Sequence, residues 1–119
     1  RTTFDLVAIV EAAVGKEYLT KKIHPATKTF QALRIAVNDE LGAVADGLES
    51  AWRVIPSGGI IAAISFHSHE DRIIKQMFKA WSETGFADLL TKKPITPREE
   101  EILINPRARS SKLRILQKR

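Results

Sequence analysis

Cysteine is absent from the 119-residue sequence. That excludes a disulfide framework and any thiolate metal site, and it suits a reducing compartment, so a cytoplasmic location is expected. No apolar run approaches the ~20 residues that a membrane-spanning helix needs, and no secretory leader is legible. No internal repeat or low-complexity tract is present. An initiating methionine is also missing: the chain opens on Arg1, so a segment of a longer protein is expected. What is there is ordinary for a globular chain, with 44% hydrophobic residues in a length that suits one domain or a piece of one.

Charge is unevenly spread. The net charge is +5, yet residues 1–90 hold 10 Lys and Arg against 11 Asp and Glu, while residues 91–119 hold 9 against 3. The basic excess is therefore confined to the last quarter. A clustered positive end fits a polyanion such as nucleic acid, because neutralising phosphates is the generic source of affinity for such a partner. A solvated, frayed tail is the plain alternative.

The centre of the chain is Gly58-Gly59-Ile60-Ile61-Ala62-Ala63-Ile64-Ser65-Phe66, which runs into His67-Ser68-His69-Glu70-Asp71-Arg72. A short continuous apolar run bounded by glycines predicts a buried parallel strand. Ligands of open α/β sheets sit at the carboxyl edge of such strands. Pro56-Ser57-Gly58-Gly59 predicts the turn that leads in.

Upstream, Thr2 or Thr3 caps a helix bearing Leu6, Ile9, Val10 and Ala13, with Gly15 as its stop. Lys16 to Lys22 reads as a connector. The next helix opens at His24-Pro25 and carries the stripe Ala26, Phe30, Leu33, Val37 and Leu41. Asn38-Asp39 interrupts it, which leaves two readings open: two helices, or one long kinked helix reaching Ile55. Arg34 and Asn38 are expected to brace that junction. Downstream, Ser68 is the expected N-cap of a helix carrying Ile74, Met77, Phe78 and Trp81, with Glu70 and Asp71 suited to its first turn. That helix fades before Gly85. Thr96-Pro97 opens a short helix that ends at Asn105-Pro106. Lys112-Leu113-Arg114-Ile115-Leu116-Gln117-Lys118 alternates as a strand with one wet face. Phe30, Trp52, Met77, Phe78 and Trp81 are expected core.

Four separated stretches carry a family resemblance. His24-Pro25-Ala26-Thr27-Lys28-Thr29-Phe30-Gln31-Ala32-Leu33-Arg34-Ile35-Ala36-Val37-Asn38-Asp39-Glu40-Leu41 resembles the signature of the MraW (RsmH) methyltransferases. So do Ser65-Phe66-His67-Ser68 with Glu70-Asp71-Arg72, Thr91-Lys92-Lys93-Pro94-Ile95, and Asn105-Pro106-Arg107-Ala108-Arg109-Ser110 with Lys112-Leu113-Arg114. The resemblance implies an enzyme that uses S-adenosylmethionine to methylate N4 of a cytidine in small-subunit ribosomal RNA. It implies an α/β chain, the C-terminal portion of a class I (Rossmann-like) methyltransferase, helix-rich, with one buried parallel strand and a terminal strand pair. Residues 1–24 would end the family's inserted helical region, and residues 25–119 would form the C-terminal half of the methyltransferase domain. The family's glycine-rich cofactor loop has no counterpart here, since Gly58-Gly59 precedes a strand, so no cofactor-binding residue is assigned and the chain alone is expected to be inactive. His69 stands where the family usually has leucine.

Methyl transfer to an arylamine needs the amine aligned with the methyl and its proton accepted, and positioning is the larger part of such catalysis. His67 and Ser68 are the candidate catalytic residues because they follow the strand end. The plain alternative is that they cap the turn. Phe66, Arg72, Lys92, Lys93, Arg107, Arg109, Lys112 and Arg114 are the expected contacts to substrate RNA. The partner is small-subunit ribosomal RNA or the assembled small subunit, with a homo-oligomer possible and no membrane involved. A metal reading of His67-x-His69-x-Asp71 fails on ligand number, as His24 is the only other histidine. The alternative to an enzyme is a non-enzymatic RNA-binding or oligomerising module.

Overall fold

Proline at position 25 explains where one of the long helices begins: its missing N–H and fixed φ suit a first turn. In the computed structural model, which describes residues 2–19 and 23–119, His24 caps that turn through Nδ1, which accepts the Ala26 N–H at 3.2 Å. The helices that precede and follow are α1, Thr3–Ala13, α2, Lys16–Leu19, α3, Pro25–Asn38, and α4, Glu40–Val54. Thr2 caps α1 in a box closed by Asp5. Gly15 lies beyond the helix end at Val14, and part of the expected connector forms the single turn α2, while residues 20–22 lie outside the described ones. Asp39 adopts φ 46°, ψ 44°, the left-handed conformation that ends a helix, so α3 and α4 are two helices. Arg34 forks onto the Glu40 carboxylate at 2.7 and 3.2 Å, as expected of a brace at that junction.

The chain divides into compact units at residues 1–40 and 41–119. In the first, α1 packs on α3 and Glu11 meets His24 Nε2 at 2.9 Å. The second is helix-rich with one small sheet. After α4 come β1, Ile60–Ser65, α5, Ser68–Glu83, β2, Ala87–Leu89, α6, Glu99–Ile104, a 3-10 turn, Pro106–Ser110, and β3, Lys112–Lys118. The sheet order is β1-β3-β2 and every pairing is antiparallel, with Ile60 opposite Gln117, Ser65 opposite Lys112, and Leu89 opposite Leu116.

The expected parallel pairing of β1 is not found among the described residues. Among the described residues β1 pairs only with the antiparallel β3, and it buries one face: Ile61 and Ser65 are 7% and 2% exposed, Ile60 and Ile64 56% and 60%. A short apolar run carries no information about strand direction, and alternation is masked when both faces bear Ile and Ala. The expected terminal strand pair is β2 with β3, and β3 also pairs with β1, so it lies at the centre of a three-stranded sheet.

A correction concerns β3. Its charged residues were expected on a wet face, yet Lys112, Arg114, Leu116 and Lys118 share one side, where Leu116 is fully buried and Arg114 is 8% exposed. The charges are tolerated there because each has a partner. Arg114 and Lys112 meet Asp71, and the Lys118 ammonium donates to the carbonyls of Trp52 and Ile55 at 2.9 and 3.0 Å. Those carbonyls sit at the end of α4, where free C=O groups and the dipole favour a cation. Lys118 also lies 4.9 Å from the Trp52 ring centre, and Trp52 stacks on Trp81 with ring centres 4.6 Å apart.

Leu48, Ile61, Ile74, Phe78, Ala87 and Leu116 form the core of this unit, with Trp52, Met77 and Trp81 packed against it. Phe30 lies in the first unit and is half-buried. Helix α5 ends at Thr84, with Gly85 at φ 81°, and α6 starts at Glu99, two residues later than Pro97, with Arg98 at its cap.

Candidate functional site

The strand-to-helix turn at the carboxyl end of β1 is held by one carboxylate. Glu70 Oε2 accepts the backbone N–H groups of Phe66 at 2.8 Å and His67 at 3.2 Å. In return, His67 Nδ1 accepts the Glu70 N–H at 3.3 Å, so His67 and Glu70 form a capping box at the start of α5. The expected cap, Ser68, is instead the first helical residue and is exposed. Histidine takes the cap position because Nδ1 has the reach that a serine Oγ would have, and the extended backbone at His67, φ −141°, ψ 165°, aims it back over the turn.

This box defines what His67 can do. With Nδ1 accepting, the neutral ring carries its proton on Nε2, and Nε2 lies 3.3 Å from Glu70 Oε1. Nε2 is buried and makes no well-aligned hydrogen bond, so both ring nitrogens face Glu70 rather than open solvent. A further polar orphan lies two residues back: Ser65 is 2% exposed and its Oγ is buried with no hydrogen-bond partner. Between them Phe66 is 55% exposed. The turn thus combines a buried hydroxyl, an exposed aromatic face and a rigid backbone. His69 lies beside His67 with ring centres 6.0 Å apart, and among the described residues no three His, Asp or Glu side chains converge as a metal set.

One turn further along α5, Asp71 is buried and ties the helix to β3. It accepts from Arg114 Nε at 2.8 Å and Nη2 at 3.3 Å and from Lys112 Nζ at 3.1 Å. The Arg114 hydrogen bond, opposed by burial, holds the Asp71 carboxyl below the usual carboxylate range. This anchors the first turn of α5, and with it the Phe66-His67 corner. It also removes Arg114 from the residues that face outward, because its guanidinium is enclosed and committed to Asp71. Lys112 is shared between Asp71 and solvent, with 37% of its side chain exposed.

The other expected RNA contacts are surface groups. Arg72 lies exposed on α5, Lys92 and Lys93 in the segment after β2, and Arg107 and Arg109 on the 3-10 turn around the buried Ala108. None of these five makes an ion pair among the described residues. Sequence reasoning gave Glu70 and Asp71 a helix-dipole role, weighed Asp71 otherwise only as a metal ligand, and gave Ser65 no chemical role in the site. A polar residue followed three positions later by glutamate was the available signal for Glu70. Nothing local marks Asp71, whose partner is 43 residues away.

The whole chain, residues 1–119, matches the MraW methylase family. It is 54% identical over 114 residues to the ribosomal RNA small subunit methyltransferase H of Sulfurihydrogenibium sp. (strain YO3AOP1), covering 96% of this chain and 39% of that protein. It is 48% identical over 117 residues to the protein of the same name from Leptospira interrogans (strain Fiocruz L1-130), covering 98% of this chain and 35% of that protein. It is 44% identical to the one from Geobacter sp. (strain M21), covering 98% of this chain and 42% of that protein. The chain spans roughly two-fifths of the length of such relatives. A match that runs from the first residue to the last and includes both the Phe66-His67 corner and the basic end establishes that the chain belongs to the MraW methylase family.

Proposed function

We propose that this chain is the C-terminal, substrate-side part of a class I (Rossmann-like) methyltransferase that transfers a methyl group from S-adenosylmethionine to N4 of a cytidine in small-subunit ribosomal RNA. The observation that carries this reading is the near-complete coverage of the chain by relatives named ribosomal RNA small subunit methyltransferase H. Residues 1–24 then end an inserted helical region, the partner is the ribosomal RNA or the assembled small subunit, and the enzyme works in the cytoplasm. No helix among the described residues is long and apolar enough to cross a membrane.

S-adenosylmethionine supplies an electrophilic methyl on a sulfonium. The described residues do not fit a cradle for it. Gly58-Gly59 is a helix-to-strand turn in which a Cβ on Gly59 would meet the Pro56 carbonyl oxygen at 2.8 Å, so its glycine serves the turn, and the β1-to-α5 corner has none. What this chain contributes is the placement of the base. Phe66 offers an aromatic face on which a flipped cytosine can stack, an interaction worth ~1–3 kcal/mol per base. Glu70 fixes the backbone of that residue, and His67, capped onto Glu70, acts by positioning the corner. Ser65 Oγ and the exposed Ser68 hydroxyl are the polar groups on either side of it.

The test is Phe66→Ala and His67→Ala in the full-length protein, assayed by single-turnover methylation of small subunits that lack the modification. Losing the stack is expected to lower kcat/KM for Phe66→Ala by about 5- to 150-fold, the equivalent of ~1–3 kcal/mol, while Phe66→Trp retains most activity. Unchanged rates in both alanine variants would sink this assignment of the site.

A further inference from the structure

Helix α5 carries a second organised face beside the one it buries. Ser68, Arg72, Lys75 and Lys79 recur at spacings of four, three and four, so they form one stripe along the helix, and all four are exposed. The stripe begins next to the Phe66-His67 corner. Over the 11 residue steps from Ser68 to Lys79 it runs about 16 Å along the helix axis at 1.5 Å per step.

Its far end borders a cavity of about 210 Å³ between α5 and the segment after β2. Phe78 and Leu89 line the apolar part, and Lys75, Lys79 and Lys92 supply its cations. Arg114 also lines it but is committed to Asp71. Lys79 shares its charge with Glu83 at 3.4 Å on an exposed surface, whereas Lys75 and Lys92 make no ion pair among the described residues. Thr91 lines the cavity too; its Oγ accepts the Ile115 N–H at 2.9 Å, which leaves the hydroxyl proton available to donate. Lys75 and Lys79, four residues apart on one helix, repel each other, and Lys92 adds a third positive charge. An anion seated among them relieves that repulsion, and the apolar floor gives room for a sugar or base edge beside it.

We propose that the cleft formed by Lys75, Lys79, Lys92 and Thr91 over Phe78 and Leu89 binds a phosphodiester of the RNA strand that flanks the target base. The proposal rests on the RNA-methyltransferase reading above and extends it: Arg72 bridges the base corner and the cleft, so the strand follows α5 from Phe66 to Lys79. Continuity of the stripe favours a chain of phosphates over a lone phosphate ion. The cleft holds the strand rather than the reacting base, so its loss weakens binding and spares the chemical step.

The experiment is fluorescence anisotropy of a short labelled single-stranded RNA on the full-length protein across a salt series. It compares the parent with the triple variant Lys75→Gln, Lys79→Gln, Lys92→Gln and with the corresponding triple arginine variant. Losing the one phosphate that the cleft holds is expected to reduce the slope of log affinity against log salt by about 0.7, the share of a single phosphate on a single strand. The arginine variant keeps the parental slope, and single-turnover kcat at saturating substrate stays at the parental level in the glutamine variant while KM rises. An unaltered slope in the glutamine variant, with a reduced slope in Arg107→Ala, Arg109→Ala, overturns the cleft and leaves the RNA reading standing. Salt-independent RNA binding by the parent overturns both. Inorganic phosphate that shifts the NMR signals of Lys75, Lys79 and Lys92 without altering the RNA slope assigns the cleft to a free anion and refutes the RNA path.

Discussion

Replacing Arg114 by methionine separates a structural role from an RNA-binding one. The Arg114 and Asp71 side chains are 10% and 12% exposed, and the guanidinium makes two of the three side-chain bonds that the carboxylate receives. Breaking a buried ion pair by removing one partner costs about 3–5 kcal/mol, because the charge left behind is uncompensated. Lys112 remains at 3.1 Å but is 37% exposed, and a partly solvated partner recovers only a fraction. The expected loss for Arg114→Met is therefore about 2–4 kcal/mol, read as a lower midpoint in urea denaturation of the full-length protein at constant m. The double variant Asp71→Leu, Arg114→Met is expected to return to within about 1 kcal/mol of the parent, since an apolar pair of similar volume replaces the ion pair without a desolvation penalty. A loss below about 1 kcal/mol for Arg114→Met, together with an RNA salt slope lowered by about 1, would refute the reasoning and return Arg114 to the RNA surface.

The same carboxylate sets a pH dependence. Its folded pKa is depressed from 3.8, chiefly by the Arg114 hydrogen bond, so the native state binds fewer protons than the unfolded state near that value. The stabilisation is present above the unfolded pKa and is lost as pH falls through the folded one. The stability gap between the parent and Asp71→Asn is expected to stay level above about pH 5 and to narrow below about pH 4; a gap that holds constant into acid would count against the pair. In the turn before β1, Gly59→Ala places a Cβ 2.8 Å from the Pro56 carbonyl oxygen and 3.1 Å from Ile55 Cβ, where the backbone is tied to β3 by Gly58 N–H to Lys118 O and Lys118 N–H to Gly59 O. A loss of about 1–3 kcal/mol is expected by thermal or urea unfolding, and a parental midpoint would show that the turn can shift.

Much of the fold was legible because its signals are local. Pro25 after His24, the break at Asn38-Asp39, the glycine turn at 56–59 and the helical period from Ile74 to Trp81 each depend on a few neighbouring residues, and each stands as read. The strand-to-helix corner from Phe66 to Arg72 was legible for the same reason, since an apolar run that gives way to small and polar residues marks a strand end. The cap was misread by one residue because His67 and Ser68 both offer a capping atom, and only the path of the backbone out of β1 selects between them.

By itself, then, the sequence determined the order of the elements apart from α2 and β2, the position of the Phe66-His67 corner, the basic end and the family motifs. Tertiary structure decided the direction in which β1 is paired, which side of β3 is buried, and which basic residues are free to meet a polyanion. The physical reason is that these depend on partners remote in sequence. Arg114 looks like its basic neighbours Arg107 and Arg109 until Asp71 is brought 2.8 Å from its Nε, and Lys75 and Lys79 look like ordinary helix-surface charge until Lys92 is folded across from them.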